Sequence, residues 1–169
     1  MVFSIKTFLV TFLVFLFSAH LVFAQNPSVT SSPKTTFEAF WPMTAGKTVD
    51  DSLYFLKIWK ETLRGIIVFG NPQKAEYAVY LGTKRILEAD KLFNDGKKEL
   101  ADKTLDKALE QFNIAEKNIS VVKTSNRTLG PNIATMKPRL DNLLILLPSI
   151  PSDKMGELLQ KVKNLQMNI

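Results

Sequence analysis

The sequence predicts an all-α protein, in which an antiparallel helical hairpin and flanking helices form a small bundle after an N-terminal signal peptide. Small and apolar residues recur in steps of three and four over residues 75–93 and again over residues 101–122, which is the spacing of one helix face. A short turn that contains Gly96 separates the two stretches. The chain has no cysteine, so an apolar core must stabilise the fold without disulfides.

Residues 1–24 have the three parts of a secretory signal peptide. Lys6 supplies the positive charge, an apolar run follows over residues 8–19, and small residues at the end place a cleavage site before Gln25. The protein is therefore expected to be exported, and to be secreted or otherwise extracytoplasmic.

An uncleaved membrane anchor is the alternative interpretation of the same segment. Residues 7–24 form an apolar stretch of nearly sufficient length, because roughly 17–25 residues span a bilayer as a helix. The next segment, residues 25–36, is rich in Ser, Thr and Pro and predicts a flexible spacer.

A helical core domain is predicted over residues 37–123. It starts with the aromatic segment 37–42, which is too short for a helix of its own and is expected to pack onto the domain. Residues 50–52, Asp-Asp-Ser, offer N-capping side chains for a first helix that ends near Gly70. The spacing of its apolar residues predicts a core-facing stripe, which consists of Leu56, Trp59, Leu63 and Ile66.

The second and third helices form the predicted hairpin. Asn71 and Pro72 are typical of a helix start, and Gly96 suits the left-handed residue after a helix end. The seam of the second helix is Ala75, Val79, Gly82, Ile86, Ala89 and Phe93. The seam of the third helix is Ala101, Leu105, Ala108, Phe112, Ala115, Ile119 and Val122. Small residues in both seams allow close approach, and Phe112 is expected to fill the space that Gly82 leaves.

A loop over residues 124–132 and basic helices over residues 133–169 complete the predicted organisation. Pro138 is expected to start or kink the first of these helices. Ser152 is expected to cap the last one, which carries Met155, Leu158, Leu159, Val162 and Leu165. Every aromatic residue after the signal lies between residues 37 and 112, so helices one to three should form the main core, with the last two as an aliphatic addition.

Five short segments after the signal carry a pattern that is more specific than any one of them. In order, they are Trp41-Pro42, Asp51-Ser52-Leu53-Tyr54-Phe55-Leu56-Lys57, Pro72-Gln73-Lys74-Ala75-Glu76, Lys84-Arg85-Ile86-Leu87-Glu88-Ala89 and Gly96-Lys97-Lys98-Glu99-Leu100-Ala101. Together they resemble an uncharacterised family of exported bacterial all-helical domains of unknown function. The resemblance covers residues 40 to about 115, and Ser52 stands where that family usually has a proline. It implies a bacterial, extracytoplasmic helical domain and provides no catalytic residues.

The residue types argue against an enzyme. The single histidine, His20, lies within the predicted signal, so the exported chain has neither His nor Cys for nucleophilic catalysis or ordinary zinc ligation. Carboxylates do cluster on the third helix, at Glu99, Asp102, Asp106 and Glu110, but lysines alternate with them, and a solvated surface of ion pairs is expected. No catalytic, cofactor or metal site is predicted.

The positive charge is concentrated near the C-terminus. The whole chain has a net charge of +6, and seven basic residues against three acidic ones lie in residues 121–169. The candidates for a surface-binding site are Lys137, Arg139, Lys154, Lys161 and Lys163. Anionic lipid or an acidic envelope polymer would be the ligand, and nucleic acid is not expected for an exported protein.

Three hypotheses of function follow. The first is a non-enzymatic interaction or structural module with an envelope or protein partner. The second is an envelope-surface binder that uses the basic C-terminal helices. The third is a tetratricopeptide-like, peptide-binding hairpin, suggested by the spacing of small residues around Gly96, although no second copy of the repeat is present.

Overall fold

The computed structural model describes residues 39–169, and these are helical with no β-strand. The helices are α1 (Tyr54–Ile67), α2 (Asn71–Asn94), α3 (Lys98–Thr124), α4 (Asn132–Leu146) and α5 (Met155–Asn168), with a 3₁₀ turn at Leu147–Ser149. The predicted all-α fold is confirmed. The predicted signal peptide, its alternative as an anchor, the spacer and Phe37 lie outside the described residues.

The hairpin of α2 and α3 is present as predicted. The turn between the two helices is a Schellman motif, in which the main-chain NH of Lys97 donates to the Leu92 carbonyl at 2.8 Å and that of Gly96 to the Phe93 carbonyl at 3.0 Å. Gly96 has φ +75°, a left-handed conformation that costs glycine nothing. The sequence thus specifies both the reversal of the chain and the start of α3.

The predicted seams of the hairpin form its packed interface. All seven seam residues of α3 are buried, and on α2 only Phe93 is partly exposed. The ring of Phe112 lies against Gly82 so closely that a Cβ there would be only 2.5 Å from Phe112 Cε1. Phe112 therefore fills the space that Gly82 leaves, as the sequence predicts.

Helices α2, α3, α5 and α4 form a closed ring, because each contacts the next and α4 contacts α2 again. Such a ring covers the inner face of the hairpin with α4 and α5. The hairpin consequently does not present the open concave face that a tetratricopeptide-like groove would require. The hypothesis of a tetratricopeptide-like peptide groove is therefore wrong.

The composition of the core differs from the prediction. The C-terminal helices belong to the main core, where Met136, Leu140 and Leu143 of α4 and Leu158, Val162 and Leu165 of α5 are fully buried. The first helix contributes only Tyr54 to the buried residues. Aliphatic side chains of α4 and α5 thus form the part of the core that the sequence pattern predicts for the first helix. The whole of the described core lies within residues 25–169, the predicted exported form.

Helix boundaries follow the predicted signals within a few residues. Leu53, rather than one of residues 50–52, is the N-cap of α1, and the Asp51 carboxylate accepts a hydrogen bond from the Leu53 main-chain NH at 2.8 Å. Lys154, rather than the predicted Ser152, is the N-cap of α5, and the Ser152 hydroxyl oxygen accepts a hydrogen bond from the Lys154 main-chain NH at 3.3 Å. Pro138 does not start α4 but lies inside it.

The aromatic segment before α1 packs onto the domain through Phe40, as predicted. Phe40 is buried in the core, while Trp41 is largely exposed. The side-chain amide of Asn142 on α4 donates to the main-chain carbonyl of Ala39 at 2.5 Å, which fixes the segment against the bundle.

Candidate functional site

Helix α1 lies outside the ring and packs with the wrong face inward for an ordinary amphipathic helix. Its inward positions include Tyr54, Lys57, Glu61 and Gly65, whereas its large apolar side chains are exposed. Soluble helices normally bury the apolar stripe and expose the polar one. The orientation of α1 is therefore the inverse of that of an ordinary amphipathic surface helix.

Charged residues of α1 and α2 form a largely buried ion cluster, which consists of Lys57, Glu61, Lys84, Arg85 and Glu88. Its centre is Glu88, a fully buried carboxylate on α2. Glu88 Oε1 accepts from the guanidinium of Arg85 at 2.6 Å and forms an ion pair with the ammonium of Lys57. The other carboxylate oxygen accepts a hydrogen bond from the hydroxyl of Tyr54 at 3.2 Å. Every side-chain oxygen of Glu88 is thus satisfied, which burial of a charge demands.

Glu61 is the second carboxylate of the ion cluster and belongs to α1. It forms ion pairs with Arg85 and, at 3.0 Å, with Lys84. Burial raises the pKa of the Glu61 carboxyl, but the charges of Arg85 and Lys84 outweigh burial and hold that pKa below its ordinary value. Arg85 therefore bridges carboxylates from two helices and joins α1 to α2.

Lys57 also connects the ion cluster to the chain before α1. Its ammonium donates to the main-chain carbonyls of Ala45 at 2.9 Å and Lys47 at 2.7 Å. Burial lowers the pKa of Lys57, and the neighbouring Glu88 carboxylate offsets only part of this effect. Burial and Glu88 likewise raise the pKa of the Tyr54 hydroxyl above its ordinary value, so Tyr54 remains a hydrogen-bond donor.

The exposed side of α1 carries an apolar surface that we call the outward stripe. It consists of Phe55, Leu56, Trp59, Leu63, Ile66 and Ile67, all exposed. The exposed fraction reaches 65% for Trp59, 67% for Ile66 and 69% for Ile67. Large contiguous apolar surface is uncommon on a monomeric domain.

The outward stripe contains all four residues that the sequence pattern assigned to the core, and that assignment is wrong. The spacing of Leu56, Trp59, Leu63 and Ile66 correctly predicts one helix face, but the buried charges on the opposite face direct that apolar face to solvent. Tyr54 at the start of α1 is buried, whereas Trp59 is exposed.

A cleft of about 310 Å³ lies between α1 and the α2–α3 hairpin. Ile58, Gly65 and Val68 line it from the α1 side, and Ala78 and Ile114 line it from the hairpin. Its wall is mainly apolar, although Lys74 also borders it. We call this space the α1 cleft.

The basic C-terminal residues are spread over two helices, and most of them have acidic neighbours. On α4, Lys137 lies 3.5 Å from Asp141, and Arg139 lies 3.6 Å from Glu76 of α2. Lys154 before α5 pairs with Asp106, and Lys161 of α5 lies 2.9 Å from Glu116. Lys163 is exposed. The local charge of this set is therefore partly compensated.

The carboxylates of α3 do not converge on a site. Glu99 pairs with Lys103 at 2.6 Å on the surface, as expected. Asp102 accepts a hydrogen bond from Ser152 at 2.6 Å, and Asp106 pairs with Lys154, so both also hold the start of α5. Within residues 39–169, no group of three acidic, His or Cys side chains could hold a metal ion, and no helix is long and apolar enough to cross a membrane.

The ion cluster is the part of the site that the sequence pattern does not predict. Tyr54 and Lys57 are three residues apart on α1, and Arg85 and Glu88 are three apart on α2, so each pair shares a helix face. These four residues lie in two of the segments that carry the family resemblance. A pair of oppositely charged residues three apart, directly beside the apolar seam of α2, is the signal that could have revealed the cluster.

The chain matches the model of a known protein family. The model of a family described as "Domain of unknown function (DUF5667)" matches residues 46–142, which include α1, α2, α3 and most of α4. The match starts slightly later than the resembling segments and extends well beyond residue 115. Comparisons with curated proteins and with solved structures found no match.

Proposed function

The chain belongs to this family of unknown function, and we propose that it is an exported, non-enzymatic interaction module whose outward stripe binds a membrane surface that contains anionic lipid. The observation that carries the proposal is the inverted orientation of α1, in which buried charges hold the helix and its apolar side chains are exposed. Non-enzymatic action rests on the absence of His and Cys from residues 25–169.

The composition of the outward stripe supports a lipid interface as the partner. Interfacial helices combine Trp, Phe and Leu on one face with Lys and Arg beside it. The outward stripe has Trp59 and Phe55 among aliphatic residues, and Lys60 and Arg64 are the exposed charges of the same helix.

The charge of α1 supports an anionic surface. The only carboxylate of α1 is Glu61, which points inward and is neutralised by Arg85 and Lys84. Lys60 and Arg64 are therefore not accompanied by acidic residues of α1 on the exposed side. The predicted net charge of the exported form is also positive, which adds a long-range attraction to anionic lipid.

Cosedimentation of residues 25–169 with vesicles of phosphatidylglycerol and phosphatidylcholine tests this proposal. We expect binding that weakens as salt rises, and the double variant Trp59→Ser/Ile66→Ser should bind at least about tenfold more weakly, because each apolar side chain contributes roughly 1.5–3 kcal/mol when fully buried. The matched control is Ile145→Ser on α4, a residue that is 78% exposed.

The variants also distinguish the proposal from the C-terminal hypothesis. Unchanged binding by Trp59→Ser/Ile66→Ser would contradict a role for the outward stripe. If binding instead disappears when Lys137, Lys161 and Lys163 are replaced by Ser, the basic C-terminal helices are the membrane-binding surface.

A further inference from the structure

The α1 cleft is a second feature of the inverted helix, and it differs in shape from the outward stripe. It lies on the other side of α1, where Gly65 has no side chain and Ala78 of α2 has a small one. A Cβ added at Gly65 would lie 3.5 Å from Tyr77 Cε1, an ordinary contact, so the backbone does not require glycine for lack of room. The small residues leave an apolar space between the helices.

The volume of the α1 cleft limits its occupant. At about 310 Å³ it is at the lower end of the range for ligand pockets, which is roughly 300–1,000 Å³. Most of its wall is apolar and includes Ile58, Leu81 and Ile114, although the polar side chains of Thr62, Gln111 and Asn118 also line it. A single, slender apolar chain fits these constraints better than a polar or branched molecule.

Charged residues beside the α1 cleft indicate the headgroup of the occupant. Lys74 borders the cleft, is exposed, and forms no ion pair within residues 39–169. Glu61 also borders it, but the carboxylate is held by Lys84 and Arg85. The available charge at the cleft is thus positive, which favours an anionic group beside Lys74.

We infer that the α1 cleft binds one acyl chain of a single-chain anionic amphiphile, such as a fatty acid or a lysophospholipid, with the anionic group beside Lys74. The inference deepens the proposed function, on which it rests for the encounter with lipid, by naming the lipid class that the protein takes up. The outward stripe contacts the membrane, and the acyl chain of the lipid enters the α1 cleft on the opposite side of the same helix.

Calorimetric titration of residues 25–169 with monomeric dodecanoate, and separately with monomeric lysophosphatidylglycerol, tests the inference. We expect at least one of these two ligands to bind saturably, with one molecule bound per protein. The ligand that binds shows whether the acyl chain comes from a fatty acid or from a lysophospholipid. Ile114→Trp, which fills the α1 cleft from α3, should reduce affinity at least about tenfold, whereas the matched surface variant Ile145→Trp should not. Lys74→Ala should weaken binding of the anionic ligand but leave binding of the neutral analogue dodecanol unchanged.

Absence of binding by the parent protein, or equal binding by Ile114→Trp and Ile145→Trp, would overturn the inference. Circular dichroism establishes that Ile114→Trp is folded before its titration is interpreted. Failure of the proposed function has a different signature: the parent would bind dodecanoate or lysophosphatidylglycerol but no vesicles. If vesicle binding depends on Trp59 and Ile66 but no monomeric ligand binds, the outward stripe is a membrane-binding surface and the α1 cleft is not an acyl-chain site.

Discussion

Replacing Phe112 by alanine is expected to destabilise the fold by about 3–5 kcal/mol, the usual cost of removing a large aromatic side chain from a core. Phe112 is fully buried on α3 and its ring lies against Gly82 of α2. The loss would be a large share of the roughly 5–15 kcal/mol that stabilises a typical domain. Urea unfolding of residues 25–169 and of the variant measures it.

Two controls make the Phe112 measurement specific. Lys103→Ala on the exposed side of α3 should change the unfolding free energy by no more than about 0.5 kcal/mol. Gly82→Ala should destabilise the parent, because the new Cβ would overlap the ring of Phe112, yet the same change should be much better tolerated in the Phe112→Ala background. Equal, small losses for Phe112→Ala and Lys103→Ala would contradict the helical register.

Replacing Glu88 by alanine is expected to destabilise the packing of α1 on α2 by about 3–5 kcal/mol, because it removes one partner of a buried ion pair and leaves the positive charges of Lys57 and Arg85 without that carboxylate. Among the described residues, Lys57 would lose the carboxylate with which it pairs, and Arg85 would retain its ion pair with Glu61. Since these contacts join α1 to α2, the outer helix should detach more readily than the ring unfolds. Hydrogen exchange resolves the amides of α1 from those of the ring.

The matched control for Glu88→Ala is Glu99→Ala, which breaks an exposed ion pair with Lys103. Exposed pairs of this kind contribute about 0–1 kcal/mol, so the control should be close to neutral. Glu88→Gln keeps the shape and part of the hydrogen bonding and should lie between the two. If Glu88→Ala and Glu99→Ala are equally mild, the ion cluster does not hold α1.

The hairpin could be predicted from the sequence because its signals are local. Small and apolar residues at helical spacing define the seams of α2 and α3, and Gly96 defines the turn between them. Even the contact between Phe112 and Gly82 follows from the register of two helices joined by a short turn. The family resemblance pointed to the same stretch of chain, which the match to residues 46–142 supports.

The orientation of α1 could not be predicted in this way. The periodicity of Leu56, Trp59, Leu63 and Ile66 shows that these residues share a face but does not show whether that face is buried. The direction is decided by Glu88, which is 34 residues after Tyr54 in the chain and hydrogen-bonds to it. Similarly, the aliphatic residues of α4 and α5 are buried because these helices close the ring, which the local sequence pattern does not show.

The absence of cysteine allows a direct test of the central claim, that the outward stripe faces solvent. Ile66→Cys places a single thiol in the stripe, Val79→Cys places one in the core of α2, and Lys103→Cys provides an exposed reference. The rate of modification by an aromatic disulfide reagent is measured for each folded variant in dilute solution. The inverted orientation predicts that Ile66→Cys reacts about as fast as Lys103→Cys, while Val79→Cys is strongly protected. Protection of Ile66→Cys to the level of Val79→Cys would show that α1 buries its apolar face, and would contradict the account.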